Sequence, residues 1–252
     1  MQKPLAVPYI PSGAVSLMLL GCDTPETVIK SLISKGIEII TAEPVEGMPP
    51  YLSSHADMQF VNVASGVIVH TPGASPSVLK KLKDSGFELI EGKTVPGDTY
   101  PYDIAYNCAI VGKVAFLNLK FTDPKLLELI NKCGIKPVAV KQGYAKCSTC
   151  VLNDHAIITA DKTIHNAALQ NGIDSLLIPP QKGIILKGYD YGFIGGATGL
   201  ISDHELAFSG DFNKLEQKET MLLFMEKHGI VPVSLSNERV ADVGGLIPLS
   251  SV

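Results

Sequence analysis

Two short stretches of this chain carry residue types that could do covalent chemistry. One holds a histidine and an aspartate one residue apart, in Ser54-His55-Ala56-Asp57, just before an apolar run. The other is a turn, Gly143-Tyr144-Ala145-Lys146, that ends on Cys147-Ser148-Thr149. A thiolate facing an imidazole is a nucleophile with a proton carrier beside it, and the imidazole would hold the thiol pKa down. The residues by themselves leave blander readings open. His55 could bond a backbone carbonyl, and Asp57 could brace a turn. Cys147 and Cys150 form a Cys-x-x-Cys, which alone suggests a redox dithiol or half of a metal site. No second cysteine pair accompanies it, and Cys150 falls inside the next apolar run, where it should point into a core.

The elements that must position these residues repeat. Gly36, Gly86, Gly134, Gly172 and Gly229 each close a helical pattern and precede an apolar strand pattern. From the first to the last is 193 residues in four steps, about 48 apiece, a period that decides the fold. Helices are predicted to open at Thr24-Pro25, Ser75-Pro76, Asp123-Pro124 and Asp161, each with a capping side chain, and in the fifth copy near Asn213. Their apolar stripes are Val28, Ile29, Leu32 and Ile33, then Val78, Leu79 and Leu82, then Leu126, Leu127 and Ile130. Hairpins around Ser65-Gly66 and Gly112-Lys113 open the later copies. The first copy lacks a hairpin partner, while the chain ends in a surplus strand at Leu246–Leu249. Pairing tail with head would close a ring and remove the sheet edges.

Composition bounds the rest. With 46% hydrophobic residues and a net charge of −4, the chain can bury a large core and shows no basic footprint for nucleic acid or an anionic membrane. No apolar run is long enough to span a bilayer, and prolines interrupt the amino-terminal stretch where a secretory signal would need continuity. Five cysteines, an odd number, argue for reduced thiols. The expectation is a soluble cytoplasmic protein that binds a small polar molecule, needs no metal or organic cofactor, and leaves self-association into a homo-oligomer open.

Five strand-helix-strand copies in a ring, with these two motifs, resemble the α/β-propeller, or pentein, of the guanidine-group-modifying enzymes: arginine and agmatine deiminases, dimethylarginine hydrolases and amidinotransferases. The resemblance implies an α/β fold of one domain, a five-fold pseudosymmetric closed ring with one helix per repeat outside. The repeats would cover 14–54, 55–104, 105–146, 147–196 and 197–252. It implies that His55 is the general acid/base, that Asp57 helps to bind substrate, and that Cys147 is the nucleophile. The family places its cysteine in the last copy, where this chain reads Asp242-Val243-Gly244-Gly245. Cys147 nevertheless follows His55 by 92 residues, close to the family's two-copy separation, so the constellation fits a circularly permuted ring.

The matching loops lack the family's guanidinium-binding acids. Asp190, Glu238 and Asp242 lie nearby, and Asp103 is another carboxylate expected to face the channel, so Asp57, Asp103, Asp242 and Gly196 are the candidate substrate-binding residues. Gly195-Gly196 and Gly244-Gly245 could bring backbone N–H groups to a ligand or turn the chain at a crowded centre. The long loop 92–102, with Pro96, Gly97 and Pro101, is the lid candidate. Two functions follow: a Cys/His hydrolase or transferase acting on a C–N bond of an amidine- or amide-like substrate, or a non-catalytic ring that binds a ligand or a macromolecular partner.

Overall fold

The computed structural model describes residues 3–252. Its architecture is an α/β ring of five small sheets, each built the same way. An inner strand pairs antiparallel with a middle strand, a helix crosses over the outside, and an outer strand returns parallel to the middle one. Parallel pairing needs a crossover connection, and the helix supplies it.

In the first sheet the middle strand is β2 (Val15–Gly21), the helix α1 (Glu26–Ser34) and the outer strand β3 (Glu38–Ala42). A short β1 (Lys3–Pro4) lies at its edge. After the one-turn helix α2 (Ala56–Gln59) the second copy runs β4 (Phe60–Ala64), β5 (Val67–His70), α3 (Pro76–Asp84) and β6 (Glu88–Glu91). The third is β7 (Ala109–Val111), β8 (Val114–Leu117), α4 (Pro124–Lys132) and β9 (Lys136–Ala139). The fourth is β10 (Thr149–Asn153), β11 (Ala156–Thr159), α5 (Lys162–Gln170) and β12 (Asp174–Leu177). The fifth is β13 (Thr198–Leu200), β14 (Glu205–Phe208), α6 (Lys218–Lys227) and β15 (Val231–Ser234). The last strand, β16 (Ile247–Ser251), then pairs antiparallel with β2 and supplies the first sheet's missing inner strand. Head and tail close the ring.

The five helix-ending glycines have φ between 67° and 91° and nothing within 4 Å of where a Cβ would stand. Their requirement is therefore purely one of dihedral angle. In every copy the next residue bonds back to the helix: Ile37 to Leu32, Phe87 to Leu82, Ile135 to Ile130, Ile173 to Ala168 and Ile230 to Met225. All ten are buried, so each glycine ends a helix and fixes an apolar contact in one stroke.

Caps divide by chemistry. Asp123 and Asp161 each accept two helix N–H bonds, as predicted. Thr24 and Ser75 do not cap: α1 starts one residue later than expected, Thr24 Oγ1 is buried without a partner, and Ser75 Oγ turns to Ser77. In both capped helices a single carboxylate oxygen, Oδ1, accepts both bonds. In the fifth copy Asn213 lies in a 3₁₀ turn (Phe212–Lys214), and the helix begins at Lys218. The first helical stripe also narrows, since Ile33 is 55% exposed while Val28 and Leu32 are fully buried. No helix among the described residues is long and apolar enough to cross a membrane.

Leu249 sits in β16 with its side chain buried, so truncating it tests the closure directly. Leu249→Ala is expected to cost about 2–5 kcal/mol and lower Tm by about 5–20 °C, read by calorimetry. A loss under about 1 °C would mean that the tail strand does not hold the ring shut.

Candidate active site

The loops that run from each outer strand to the next inner strand converge at the ring's centre, and a circuit of hydrogen bonds joins their ends. Asp57 N–H donates to the Gly244 carbonyl at 3.1 Å. Asn107 Nδ2 donates to the Asp57 carbonyl at 3.1 Å, while Asn107 Oδ1 accepts from the backbone N–H groups of Lys146 (2.7 Å) and Cys147 (3.2 Å). Gly196 N–H donates to the Cys147 carbonyl at 2.9 Å. The Gly196 carbonyl accepts from Val243 and Gly245, which returns the circuit to its start. All five copies are tied together where their inner strands begin.

Each reactive side chain is held by its own stretch of chain. His55 precedes α2, whose Gln59 donates to the carbonyls of Glu43 (2.9 Å) and Ser53 (2.6 Å) and so fixes the helix against the first copy's loop. Cys147 lies in a compact turn in which Ser148 N–H bonds to Tyr144, Thr149 N–H to Lys146, and Thr149 Oγ1 to Ala145. Gly143 admits that turn: a Cβ there would stand 2.5 Å from the Tyr100 ring and 2.7 Å from Ile104.

His55, Cys147 and Asp242 line one cavity of about 220 Å³, together with Tyr144 and a set of apolar side chains from the fourth copy's loop. Cys147 Sγ donates to Asp57 Oδ2 at 3.1 Å, and on its other side the sulfur accepts from Asn107 Nδ2 at 3.0 Å. Asp57 Oδ1 is buried with no partner. Asp242 accepts from the N–H groups of Phe193 (2.8 Å) and Gly244 (3.1 Å), and its Oδ1 lies 3.8 Å from His55 Nδ1, an atom with no hydrogen bond of its own.

The electrostatics differ from the sequence expectation of an imidazole-activated thiolate. Burial, then the negative charges of Asp57 and Asp242, hold the Cys147 thiol well above its ordinary value, against a smaller lowering by Lys146. The nucleophile candidate is therefore a neutral thiol in the free protein. Burial likewise pushes the Asp242 carboxyl up, opposed by His55 and reinforced by Asp57. Lys146 is itself buried, with Nζ bonded to the Gly195 carbonyl at 3.0 Å and 5.4 Å from the centre of the Tyr9 ring. Tyr9, at φ 64°, thus closes the far side of the centre from the amino-terminal segment.

The remaining candidates take different places. Asp103 is fully buried behind the wall, accepting the Tyr144 hydroxyl at 2.6 Å, and does not line the cavity. Gly196 gives room rather than contact, because a Cβ there would overlap the Asp242 carboxylate. Gly244 does the same for His55, whose Cα would lie 2.5 Å from the added carbon. Asp190 lines the cavity and Glu238 is on the outer surface. Cys150 is buried in a core cluster, its thiol pushed up by burial to about 11, and forms no disulfide.

Three features escape the sequence reading: Asn107, Lys146 and the loop that supplies Leu186, Tyr189, Tyr191 and Phe193. Asn107 leaves a signal, for it precedes β7 as Cys147 precedes β10 and Gly196 precedes β13. The fourth copy's loop, not 92–102, covers the cavity; it is stitched to the Asp242 loop through Ile185 N–H to Val240 and Asp242 N–H to Ile185, both at 2.8 Å. The 92–102 loop contributes no lining residue among the described residues; its Tyr100 packs on Tyr144 at 5.5 Å between ring centres.

The model of a family described as "Family of unknown function (DUF6873)" matches residues 19–247. No curated protein matches the chain. Among solved structures, the chain is similar to the inosamine-phosphate amidinotransferase of Streptomyces griseus, with 11% identity, a TM-score of 0.57, and coverage of 96% of this chain and 94% of that one. It is similar to an agmatine deiminase of C. jejuni with substrate bound, at 10% identity and TM-score 0.56, over 99% and 96% of the two chains. It is also similar to DDAH from Pseudomonas aeruginosa complexed with citrulline, at 11% identity and TM-score 0.53, over 92% and 96%. These likenesses show the pentein fold over nearly all of the chain.

Because the Asp57 charge adds to burial in holding the thiol protonated, Asp57→Asn is expected to speed alkylation of Cys147 by iodoacetamide at about pH 7.5 by roughly tenfold or more, read by peptide mass spectrometry. Unchanged or slower alkylation would remove Asp57 as the controlling charge. Asn107→Ala, which strands several buried donors and acceptors, is expected to cost about 1–3 kcal/mol by chemical denaturation.

Proposed function

The chain belongs to the DUF6873 family, and on that premise we propose that its central site breaks a C–N bond of a small, planar, amidine-like cation through a covalent Cys147 adduct. The observation that carries this reading is a pair of buried carboxylates beside a buried thiol: Asp242 lines the cavity, Asp57 does not line it but is bonded to the thiol with its other oxygen unpartnered, and no lysine or arginine lines the cavity among the described residues. Buried charge is retained where a partner of opposite sign completes it. A planar cation offers paired N–H donors to carboxylates, as a guanidinium does. Two of the similar structures are by name an amidinotransferase and an agmatine deiminase, which suits the same class of carbon.

The chemistry follows from charge. A cation docked on Asp242, beside the thiol that Asp57 holds, offsets the negative charge that adds to burial in keeping the thiol protonated, so the S–H proton leaves for His55 as the substrate arrives. Sγ then bonds to the amidine carbon. His55 returns the proton to the departing nitrogen as the C–N bond breaks, leaving an amidine carbon on sulfur. Water, or an acceptor amine, attacks that carbon while His55 takes its proton, and the S–C bond breaks to restore the thiol. In this reading the base and the nucleophile come from the second and fourth copies and a carboxylate from the last, an arrangement that a ring with five similar junctions accommodates.

A second reading, a ring that binds the cation without turning it over, is favoured by the protonated thiol. The two separate by experiment. The protein is incubated with a panel of amidines and guanidines, released amine or ammonia is measured, and Cys147 is searched for an adduct by intact mass. Expected results are turnover abolished by Cys147→Ala and reduced about 10²–10⁴-fold by His55→Ala. Binding without adduct or turnover across the panel would leave the non-catalytic ring.

A further inference from the structure

The walls above the reactive groups say what the rest of the ligand must be. Tyr144, Tyr189, Tyr191, Phe193, Leu52 and Leu186 form the cavity between the reactive floor and solvent. Three of the rings form a chain of contacts, Tyr144 with Phe193 at 5.9 Å and Tyr191 with Phe193 at 6.3 Å between centres. The fourth copy's loop brings Tyr189 and Tyr191, and Gly188 lets it seat against the Tyr51 ring, which a Cβ at that position would overlap.

The only charge on this upper wall is negative. Asp190 lies among the rings, and no lysine or arginine lines the cavity among the described residues. Two basic side chains close by in the sequence of these loops are engaged elsewhere. Lys146 is bonded beneath the site to the Gly195 carbonyl, and Lys187 stands outside over the Tyr51 ring, 5.3 Å from its centre. An anionic tail would meet aromatic faces, which repel anions, and the Asp190 carboxylate. A cationic or apolar tail would meet neither penalty, since the same faces attract cations.

We infer that the site takes a small cation whose amidine-like head meets Asp242 beside Cys147 and whose tail is apolar, aromatic or cationic and carries no carboxylate. The cavity of about 220 Å³ sets the size, below the range of drug-sized sites. Free α-amino acids bearing a guanidine are thereby excluded, whereas their decarboxylated amines and simple aryl amidines are admitted. The inference rests on the reading of the floor as a cation site, but it concerns only the upper wall.

The test compares ligands that differ in whether they carry the carboxylate. Agmatine, L-arginine and benzamidine are titrated calorimetrically into the Cys147→Ala protein, so that binding is read without turnover. Agmatine or benzamidine should bind at least about tenfold more tightly than L-arginine. Asp190→Lys, a change at the rim, should narrow or reverse that ratio by improving L-arginine. L-arginine binding as tightly as agmatine, or a ratio unmoved by Asp190→Lys, would overturn the assignment of the upper wall while leaving the floor intact. If none of the three binds, while circular dichroism and Tm show a folded protein, the cation site itself fails and this inference with it.

Discussion

The hydrogen-bond circuit through Gly244, Asp57, Asn107, Cys147 and Gly196 is the constraint on which the molecule depends. Each small sheet buries only part of its apolar surface alone, so the copies need a common junction, and the junction must satisfy backbone groups removed from water. Backbone meets backbone between Asp57 and Gly244, between Gly196 and Cys147, and between Gly196 and the Gly244-Gly245 turn. Across the third copy the gap is filled by the Asn107 amide, which donates on one side and accepts on the other. A carboxylate could not donate and an aliphatic chain could do neither. The same bonds that close the ring set the positions of the thiol and its aspartate.

Structure and reactivity therefore compete at one place. Cys147 supplies its carbonyl to Gly196 and its N–H to Asn107, which fixes the sulfur above the centre, while burial and two carboxylates keep it protonated. Lys146, one residue away, offsets part of that negative charge from below, and its own burial is made tolerable by the Gly195 carbonyl and the Tyr9 ring. The amino-terminal segment thus contributes to the electrostatics of a site assembled by loops far along the chain.

The repeat was legible because its cause is local. A glycine that must take positive φ, followed by an apolar residue that bonds back to the helix, leaves the same mark five times. The orphan strands at the two ends, β2 and β16, exposed the closure for the same reason: an unpaired edge is a local fact with a global remedy. The caps were half legible, since Asp123 and Asp161 cap their helices and Thr24 and Ser75 do not. The state of the thiol was not legible, because it depends on Asp242, which lies 95 residues beyond Cys147 and reaches it only through the fold. The fourth copy's loop was equally hidden. Its tyrosines sit in an irregular stretch whose direction is decided by the bridge from Ile185 to Ala241.

A ring of near-equivalent junctions also explains how the site's parts can stand where they do. The same place in successive copies holds an aspartate, an amide, a thiol and two glycine turns, and each choice suits its neighbours. Gly196 is small because the Asp242 carboxylate occupies the space of its side chain, and Gly244 because His55 does. The glycines are thus the negative image of the acid and the base. Moving a reactive group to another copy would require moving its glycine too, so the arrangement constrains the whole circuit rather than single positions. Where two glycine turns face an acid and a histidine across a ring centre, the glycines locate the site as surely as the reactive residues do.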